Sequence, residues 1–133
     1  MALVLDASVT VVWSLEDEDD TIADLAWAQL EAGSAVAPAI WWFEVRNVLL
    51  VNERRGRISE RDAARFLRAL SKMNVEIDHA PAEAAVLSLA RSHRLTVYNS
   101  AYLELASRRD IPLATLDKQL AAAAQSEGVR LIG

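Results

Sequence analysis

Short apolar runs alternate with helical hydrophobic patterns along almost the whole of this 133-residue sequence. Each run is only three or four residues long, which suits a buried strand, whereas the stretches between them place apolar residues at helical spacing. The predicted strands are residues 3–5, 35–37, 75–77, 113–116 and 129–132. Strands separated by helices need crossover connections, so the pattern predicts an α/β fold with three α/β/α layers around a five-stranded parallel sheet.

Capping residues and prolines indicate where the helices begin. Side chains of Ser, Thr, Asp and Asn accept hydrogen bonds from the free N–H groups of a first turn, and proline is tolerated there. The predicted helix starts are Ser8, Asp20 or Thr21, Pro38, Ser59 with Asp62, Pro81 and Asn99. The helix that follows Pro38 has an apolar stripe made of Trp41, Val45, Val48 and Leu49, so we expect it to pack against the core.

Length and composition limit the number of domains and the cellular location. A chain of 133 residues that is 53% hydrophobic and 25% charged can bury one core, so we expect a single domain over residues 1–133. The absence of cysteine excludes disulfides, thiolate zinc sites and cysteine nucleophiles, and is compatible with a reducing compartment. We find neither a signal-peptide pattern nor a run of membrane-spanning length, and therefore expect a cytoplasmic protein.

Charge is distributed unevenly along the chain. The formal net charge is −5, and the five acidic residues at positions 16–20 account for it. Between Arg46 and Lys72, in contrast, there are eight basic and three acidic residues. Such a segment is most often a solvated helix surface. It also allows a polyanionic partner, because a basic face can coexist with an acidic loop in a protein whose pI is about 5.0.

Three acidic residues are candidates for a functional site. Asp6 directly follows the first predicted strand and Asp117 the fourth, and ligands of parallel α/β sheets bind at this carboxyl edge. Glu44 lies on the apolar stripe of the third helix, where an unpaired carboxylate is costly. Taken singly, Asp6 and Asp117 can be caps, and Glu44 can reach solvent or pair with Arg46 or a distant arginine. Together, these hard oxygen ligands favour a divalent cation, Mg²⁺ or Mn²⁺.

Motifs of other chemistries are missing from the sequence. Its four glycines form neither a GxGxxG nor a P-loop pattern, so nucleotide-cofactor and NTPase sites lack their essential turn. His79 and His93 form no HExxH pair, and Asp6 has no second aspartate two residues later, as an Asp-x-Asp phosphotransferase would. The clustered acids therefore remain the most informative feature.

With these residues in view, the chain resembles PIN-domain proteins, and more specifically the VapC-type toxins of toxin–antitoxin pairs. The segments that carry the resemblance are residues 3–8 (LVLDAS), 38–49 (with EVRN at 44–47), 95–98 (LTVY), 102–106 (YLELA) and 114–118 (ATLDK). The resemblance implies a nuclease that cleaves RNA internally with Mg²⁺, or Mn²⁺ as a substitute. It also implies a homodimer and a cognate VapB-type antitoxin whose C-terminal segment covers the active-site groove.

The resemblance also implies which residues form the site. Those expected to bind the cation and to be catalytic are Asp6, Glu44, Asn99 and Asp117. Those expected to orient ligands or water are Ser8, Asn47 and Thr115, which can equally be ordinary capping and turn residues. One position departs from the family pattern, because Asn99 stands where such toxins usually have a further aspartate.

Two functions are compatible with this departure. The leading hypothesis is a Mg²⁺- or Mn²⁺-dependent endoribonuclease toxin whose activity is reduced by Asn99, because an amide oxygen is a weaker ligand than a carboxylate. The alternative is a catalytically impaired PIN-fold protein that still binds RNA or the antitoxin. Comparing RNA cleavage with and without Mn²⁺ separates these two hypotheses.

Overall fold

A computed structural model describes residues 2–133 of the chain. The strands are β1 (Ala2–Leu5), β2 (Ser34–Pro38), β3 (Val75–Asp78) and β4 (Leu113–Ala114). The helices are α1 (Ala7–Thr10), α2 (Thr21–Ala32), α3 (Ile40–Arg54), α4 (Glu60–Ser71), α5 (Glu83–His93), α6 (Val97–Arg109) and α7 (Lys118–Ser126). A 3-10 turn over Val11–Ser14 continues α1.

The four strands form one parallel sheet in the order β3-β2-β1-β4. Successive side chains of a strand point to opposite faces of the sheet. In the central strand β1, Leu3, Val4 and Leu5 are all at most 1% exposed, so both faces of the sheet are covered. The predicted α/β fold with a parallel sheet is therefore confirmed.

The predicted fifth strand is not formed. Within residues 129–132 the structure has one isolated parallel bridge, between Leu131 and Leu113. Around it, the N–H of Leu113 donates to the carbonyl of Arg130 (2.9 Å), and the N–H of Ile132 donates to the carbonyl of Leu113 (3.0 Å). Because β4 is only two residues long, it has no further residues with which residues 129–132 can pair. The prediction of five strands is wrong, and the described sheet has four.

Two of the predicted helix starts are confirmed by their capping hydrogen bonds. The Asp20 carboxylate accepts from the N–H groups of Ile22 and Ala23 at the start of α2. At the start of α4, the Ser59 hydroxyl accepts from the N–H of Asp62, whose carboxylate accepts from the N–H of Ser59. This reciprocal pair is a capping box, and it satisfies two N–H groups that a free helix end leaves without partners.

The other predicted helix starts are wrong by one to three residues. Ser8 lies inside α1, Pro38 ends β2, and Pro81 precedes α5 by two residues. Asn99 lies within the first turn of α6, whose N-cap is Thr96. The Thr96 hydroxyl accepts from the N–H of Asn99 at 3.0 Å. Because Thr and Asn both cap helices well, the sequence alone does not decide between positions three residues apart.

Helix α6 packs several buried side chains against the sheet. It packs against β1, β2 and β4, and its residues 102–106 are all buried. Helix α2 also packs against these three strands. No helix within residues 2–133 is both long and apolar enough to cross a membrane.

Candidate active site

Asp6 and Asp117 lie at the same edge of the sheet because β1 and β4 are neighbouring parallel strands. Leu5 is in register with Ala114, and the N–H of Asp6 donates to the carbonyl of Ala114 at 3.0 Å. In the strand order β3-β2-β1-β4, the chain runs from β1 to β2 and β3 on one side of β1, and then returns to place β4 on the other side. Such a reversal of strand order opens a crevice at the carboxyl ends, where α/β proteins bind ligands.

Asp6 is buried and is held by two hydroxyl groups. Its side-chain oxygen Oδ2 accepts from Ser8 Oγ at 2.6 Å and from Thr115 Oγ1 at 2.7 Å. Burial raises the pKa of the Asp6 carboxyl above its usual range, the hydroxyl donors oppose that shift, and the charge of Asp117 adds to it. The same hydroxyls accept backbone N–H groups, Ser8 from Leu116 and Thr115 from Asp117. Ser8 and Thr115 therefore join the ends of β1 and β4.

Asp117 has both a capping role and a contact within the site. Its Oδ1 accepts from the N–H of Leu120 at 2.9 Å and caps α7. Its Oδ2 accepts from Asn99 Nδ2 at 3.3 Å. The capping alternative for Asp117 is thus correct for one carboxylate oxygen, while the other oxygen faces a second predicted site residue.

Glu44 reaches the site from α3. It is half-buried, and its Oε1 accepts from the Tyr102 hydroxyl at 2.6 Å. Burial raises the pKa of the Glu44 carboxyl, the Tyr102 hydrogen bond opposes this rise, and the charge of Asp6 adds to it. Arg46 is not its partner, because that guanidinium donates to the Trp42 carbonyl at 3.0 Å and lies 3.9 Å from the centroid of the Trp42 ring. A pairing of Glu44 with Arg46 is therefore excluded.

Helix α6 supplies one hydrogen-bond donor to Asp117 and one to Glu44. Asn99 and Tyr102 are three residues apart and share a face of this helix. Asn99 contacts Asp117, and Tyr102 contacts Glu44. Tyr102 was not among the site residues predicted from the sequence; its hydroxyl, three residues after Asn99, was the available signal for a polar role.

Asn47 lies outside this hydrogen-bonded group. It is exposed, one turn after Glu44 on α3. Among residues 2–133, no hydrogen bond joins its side chain to Asp6, Glu44 or Asp117. The structure thus links five of the seven predicted site residues by hydrogen bonds (Asp6, Ser8, Asn99, Thr115 and Asp117), holds Glu44 through Tyr102, and leaves Asn47 at the surface.

The site acids have no cationic partner in the part of the chain that the structure describes. Every ion pair within residues 2–133 uses other carboxylates. The described residues also contain no group of three His, Cys, Asp or Glu side chains placed to hold one metal ion. Mg²⁺ commonly binds only one or two carboxylates and keeps several waters. The oxygen ligands of the site, which are carboxylates and one amide, therefore suit a hard cation that keeps part of its water shell. They are a poor match for a site in which every metal ligand comes from the protein.

Comparison with known proteins shows the family to which the chain belongs. The PIN domain family matches residues 3–126, a range that includes Asp6, Glu44, Asn99 and Asp117. The chain therefore belongs to the PIN-domain family, as the sequence resemblance predicts, and it is similar to a VapC ribonuclease of that family.

Individual relatives agree with this assignment. Ribonuclease VapC3 of Pyrobaculum aerophilum is 34% identical over 124 residues, which cover 91% of this chain and 93% of the relative. The crystal structure of PAE2754 from the same organism has a TM-score of 0.73 at 24% identity and covers 99% of this chain and 92% of its own. VapC20 of Mycobacterium tuberculosis, described as a sarcin–ricin loop cleaving toxin, has a TM-score of 0.61 at 17% identity, with 91% and 94% covered. The two structures share the fold.

Proposed function

We propose that this chain, as a single domain over residues 1–133, is a divalent-cation-dependent endoribonuclease and the toxin of a toxin–antitoxin pair. The observation that carries the proposal is the grouping of Asp6, Glu44 and Asp117 near one sheet edge with only neutral hydrogen-bond donors around them. Carboxylates that are costly to bury and lack a cationic side chain are suited to a metal ion, and Mg²⁺ or Mn²⁺ suits their oxygen atoms.

Each residue of the site has a distinct role in this proposal. Asp6, directly after β1, and Asp117, in the loop after β4, would hold the cation, and Glu44 on α3 would face it. Ser8 and Thr115 fix the orientation of the Asp6 carboxylate before anything binds. The chemistry that a bound divalent cation would supply is a lowered pKa for a water molecule and neutralisation of charge on the phosphodiester under attack.

Asn99 reduces the negative charge of the site in this proposal. Its Nδ2 donates to Asp117, so one carboxylate oxygen is satisfied without a cation. This hydrogen bond favours the second candidate function, a catalytically impaired protein that binds RNA or the antitoxin and cleaves inefficiently. Both candidate functions retain the same fold and surface, so the rate of RNA cleavage is what distinguishes them.

The proposed partners are RNA, a VapB-type antitoxin and a second copy of the chain. Support for a protein interface comes from three large apolar side chains on α3, where Trp42, Phe43 and Leu50 are 46%, 62% and 44% exposed. Phe43 and Leu50 are seven residues apart and share a face of the helix. A protein that acts on cellular RNA in this way is expected in the cytoplasm.

Asp117→Asn separates catalysis from folding. Asn caps helices about as well as Asp, so α7 keeps its N-terminal hydrogen bond while the site loses one charge. With Mn²⁺, we expect the unmodified chain to cleave a mixed-sequence RNA pool, and EDTA or Asp117→Asn to abolish this cleavage. Asp20→Asn is the matched control, because Asp20 caps α2 and is not among the site residues.

Two results would contradict parts of this proposal. Equal cleavage in Mn²⁺ and in EDTA would exclude a metal-dependent nuclease. RNA binding without cleavage at any Mn²⁺ concentration would support the impaired binding protein instead.

A further inference from the structure

We infer that Tyr102 is a positioning residue that holds the Glu44 carboxylate at the cation-binding edge of the site. This inference rests on the proposed function, because it assigns a role to a side chain that acts only through Glu44. Tyr102 itself is 0% exposed, so it reaches neither solvent nor a bound substrate.

The contact between the two side chains is short and joins two separate helices. The Tyr102 hydroxyl of α6 donates to Glu44 Oε1 of α3 at 2.6 Å. A hydrogen bond to a charged acceptor is stronger than one between neutral groups, and this length is typical of such bonds. The aromatic ring is fixed by the core around it, so its hydroxyl offers Glu44 a rigid anchor.

Glu44 needs such an anchor because nothing else in the described chain fixes its carboxylate. It is half-buried at the border of the core, and no ion pair within residues 2–133 involves it. A glutamate side chain loses considerable rotational freedom when it is held in one conformation. Without the Tyr102 hydroxyl, the carboxylate is free to turn toward solvent and away from Asp6.

The placement of Tyr102 on α6 makes the anchor part of a larger arrangement. Asn99, one turn earlier on the same face, donates to Asp117. One rigid helix thus fixes two acids that belong to separate elements, α3 and the loop after β4. Asp6 lies near both of them, since the charges of Asp117 and Glu44 both interact with it. The Tyr102 hydroxyl therefore fixes the one acid of the three that no other hydrogen bond within residues 2–133 holds.

Tyr102→Phe removes the hydroxyl and keeps the buried ring. Mutation of residues that orient metal ligands in this way typically weakens metal binding by 10-fold to 100-fold. We therefore expect Mn²⁺ to bind roughly 10-fold more weakly to Tyr102→Phe than to the unmodified chain, as measured by calorimetric titration. Tyr98→Phe is the matched control, because it is the same substitution on the same helix at a side chain that is 57% exposed. We expect it to leave Mn²⁺ affinity unchanged.

A double-mutant cycle distinguishes positioning from a general structural role. If Tyr102 acts through Glu44, Tyr102→Phe has no further effect on Mn²⁺ affinity in a Glu44→Gln background. An equal loss of affinity in both backgrounds would overturn the inference. Circular dichroism checks that each variant is folded.

A second variant makes the test independent of the stability of Tyr102→Phe. Glu44→Asp keeps the charge but shortens the side chain by one methylene, which moves the carboxylate away from the Tyr102 hydroxyl. We expect about the same 10-fold loss of Mn²⁺ affinity. Unchanged affinity in Glu44→Asp would contradict the inference even if Tyr102→Phe does not fold.

Failure of the inference and failure of the proposed function give different results. If the unmodified chain binds no Mn²⁺, the proposed metal site is wrong and the inference is wrong with it. If the chain binds Mn²⁺ and loses it in Asp6→Asn, but not in Tyr102→Phe, only the role of Tyr102 is overturned.

Discussion

Two groups of buried carboxylates in this protein are stabilised in opposite ways. Asp6, in the candidate active site, is 4% exposed and is held by two hydroxyls. Asp78 and Glu104, at 8% and 3% exposed, bind the Arg108 guanidinium at 3.0 and 2.7 Å. Burial raises the pKa of the Asp6 carboxyl, whereas hydrogen bonds from Arg108 hold that of Asp78 well below its usual range.

The difference separates a structural cluster from a site available for a ligand. In the cluster of Asp78, Glu104 and Arg108, joined by Arg109 and Glu76, every carboxylate is paired with a guanidinium. The acids of the candidate site are left with excess negative charge. Helix α6 contributes to both groups, with neutral donors in its first turns and charged residues in its last turns.

The largest expected effect comes from Asn99→Asp. This change adds a carboxylate beside Asp117 and replaces a hydrogen bond with a repulsion, so the site then requires a cation. We expect Mn²⁺ affinity and RNA cleavage to rise by about 100-fold or more. Calorimetry and a gel-based cleavage assay measure the two effects.

The stability of Asn99→Asp provides an internal check. Because Asn99 is not the N-cap of α6 and contacts Asp117, we expect the metal-free variant to unfold at lower urea concentration than the unmodified chain. Added Mn²⁺ should reverse that loss. A variant that is indifferent to Mn²⁺ in both folding and cleavage would remove position 99 from the site.

Arg108→Ala is expected to destabilise the protein without affecting the site. It leaves Glu104 buried without a guanidinium partner and Asp78 with Arg109 alone, and the cost is about 2 to 3 kcal/mol, reduced because Arg108 is itself 33% exposed. Urea unfolding measures this loss, and Arg65→Ala, in an exposed pair with Asp62, is the control with little effect. If Mn²⁺ affinity fell together with stability, the two groups would not be independent.

The pH dependence of the metal-free protein is expected to reflect both groups. Burial raises the pKa of the Asp6 and Glu44 carboxyls on folding. Between the raised and the ordinary pKa, folding takes up a proton, so the free energy of unfolding increases as the pH falls toward the ordinary values of 3.8 for Asp6 and 4.5 for Glu44. The lowered pKa of Asp78 acts in the opposite direction, because its contribution is present above pH 3.8 and is lost below it.

Urea unfolding between pH 3 and pH 7 tests this balance. We expect a maximum of stability in mildly acidic solution, and a smaller rise toward it in Asp6→Asn. An identical pH profile in Asp6→Asn would mean that burial of Asp6 does not penalise its charge.

The smallest expected effect concerns the basic segment between Arg46 and Lys72. Within this segment, Arg57 pairs with Asp17 and Glu18 of the acidic loop. Arg54 and Arg55 remain exposed at the end of α3. If they contact phosphates, replacing each with Gln should lower the salt dependence of RNA binding by roughly one unit. An unchanged slope would assign them to the solvated surface.

The fold was predictable because it depends on patterns that are local in the sequence. Short apolar runs and helical periodicity predict a parallel sheet, and the sheet in turn places Asp6 and Asp117 at one edge. Details that depend on pairing between distant segments were not predictable. The strand over residues 129–132 fails because β4 is too short to support it, which no local feature of those residues reveals.

The acids of the candidate site were identifiable from the sequence, but their partners were not. Asp6 and Asp117 follow predicted strands, whereas the contact between Tyr102 and Glu44 spans 58 positions and forms only when the chain folds. The cap of α6 was misplaced for a different reason. Thr96 and Asn99 are both good caps, and the extended backbone of Thr96 decides between them.

Calorimetric titration of Mn²⁺ into metal-free Asp6→Asn tests most directly whether the candidate site binds a cation. The variant keeps the shape of the side chain, and its amide oxygen can still accept from Ser8 and Thr115. We predict that Asp6→Asn loses nearly all Mn²⁺ affinity, while Asp20→Asn, at the cap of α2, binds like the unmodified chain. Equal Mn²⁺ affinity in all three proteins would contradict a metal site at this edge of the sheet.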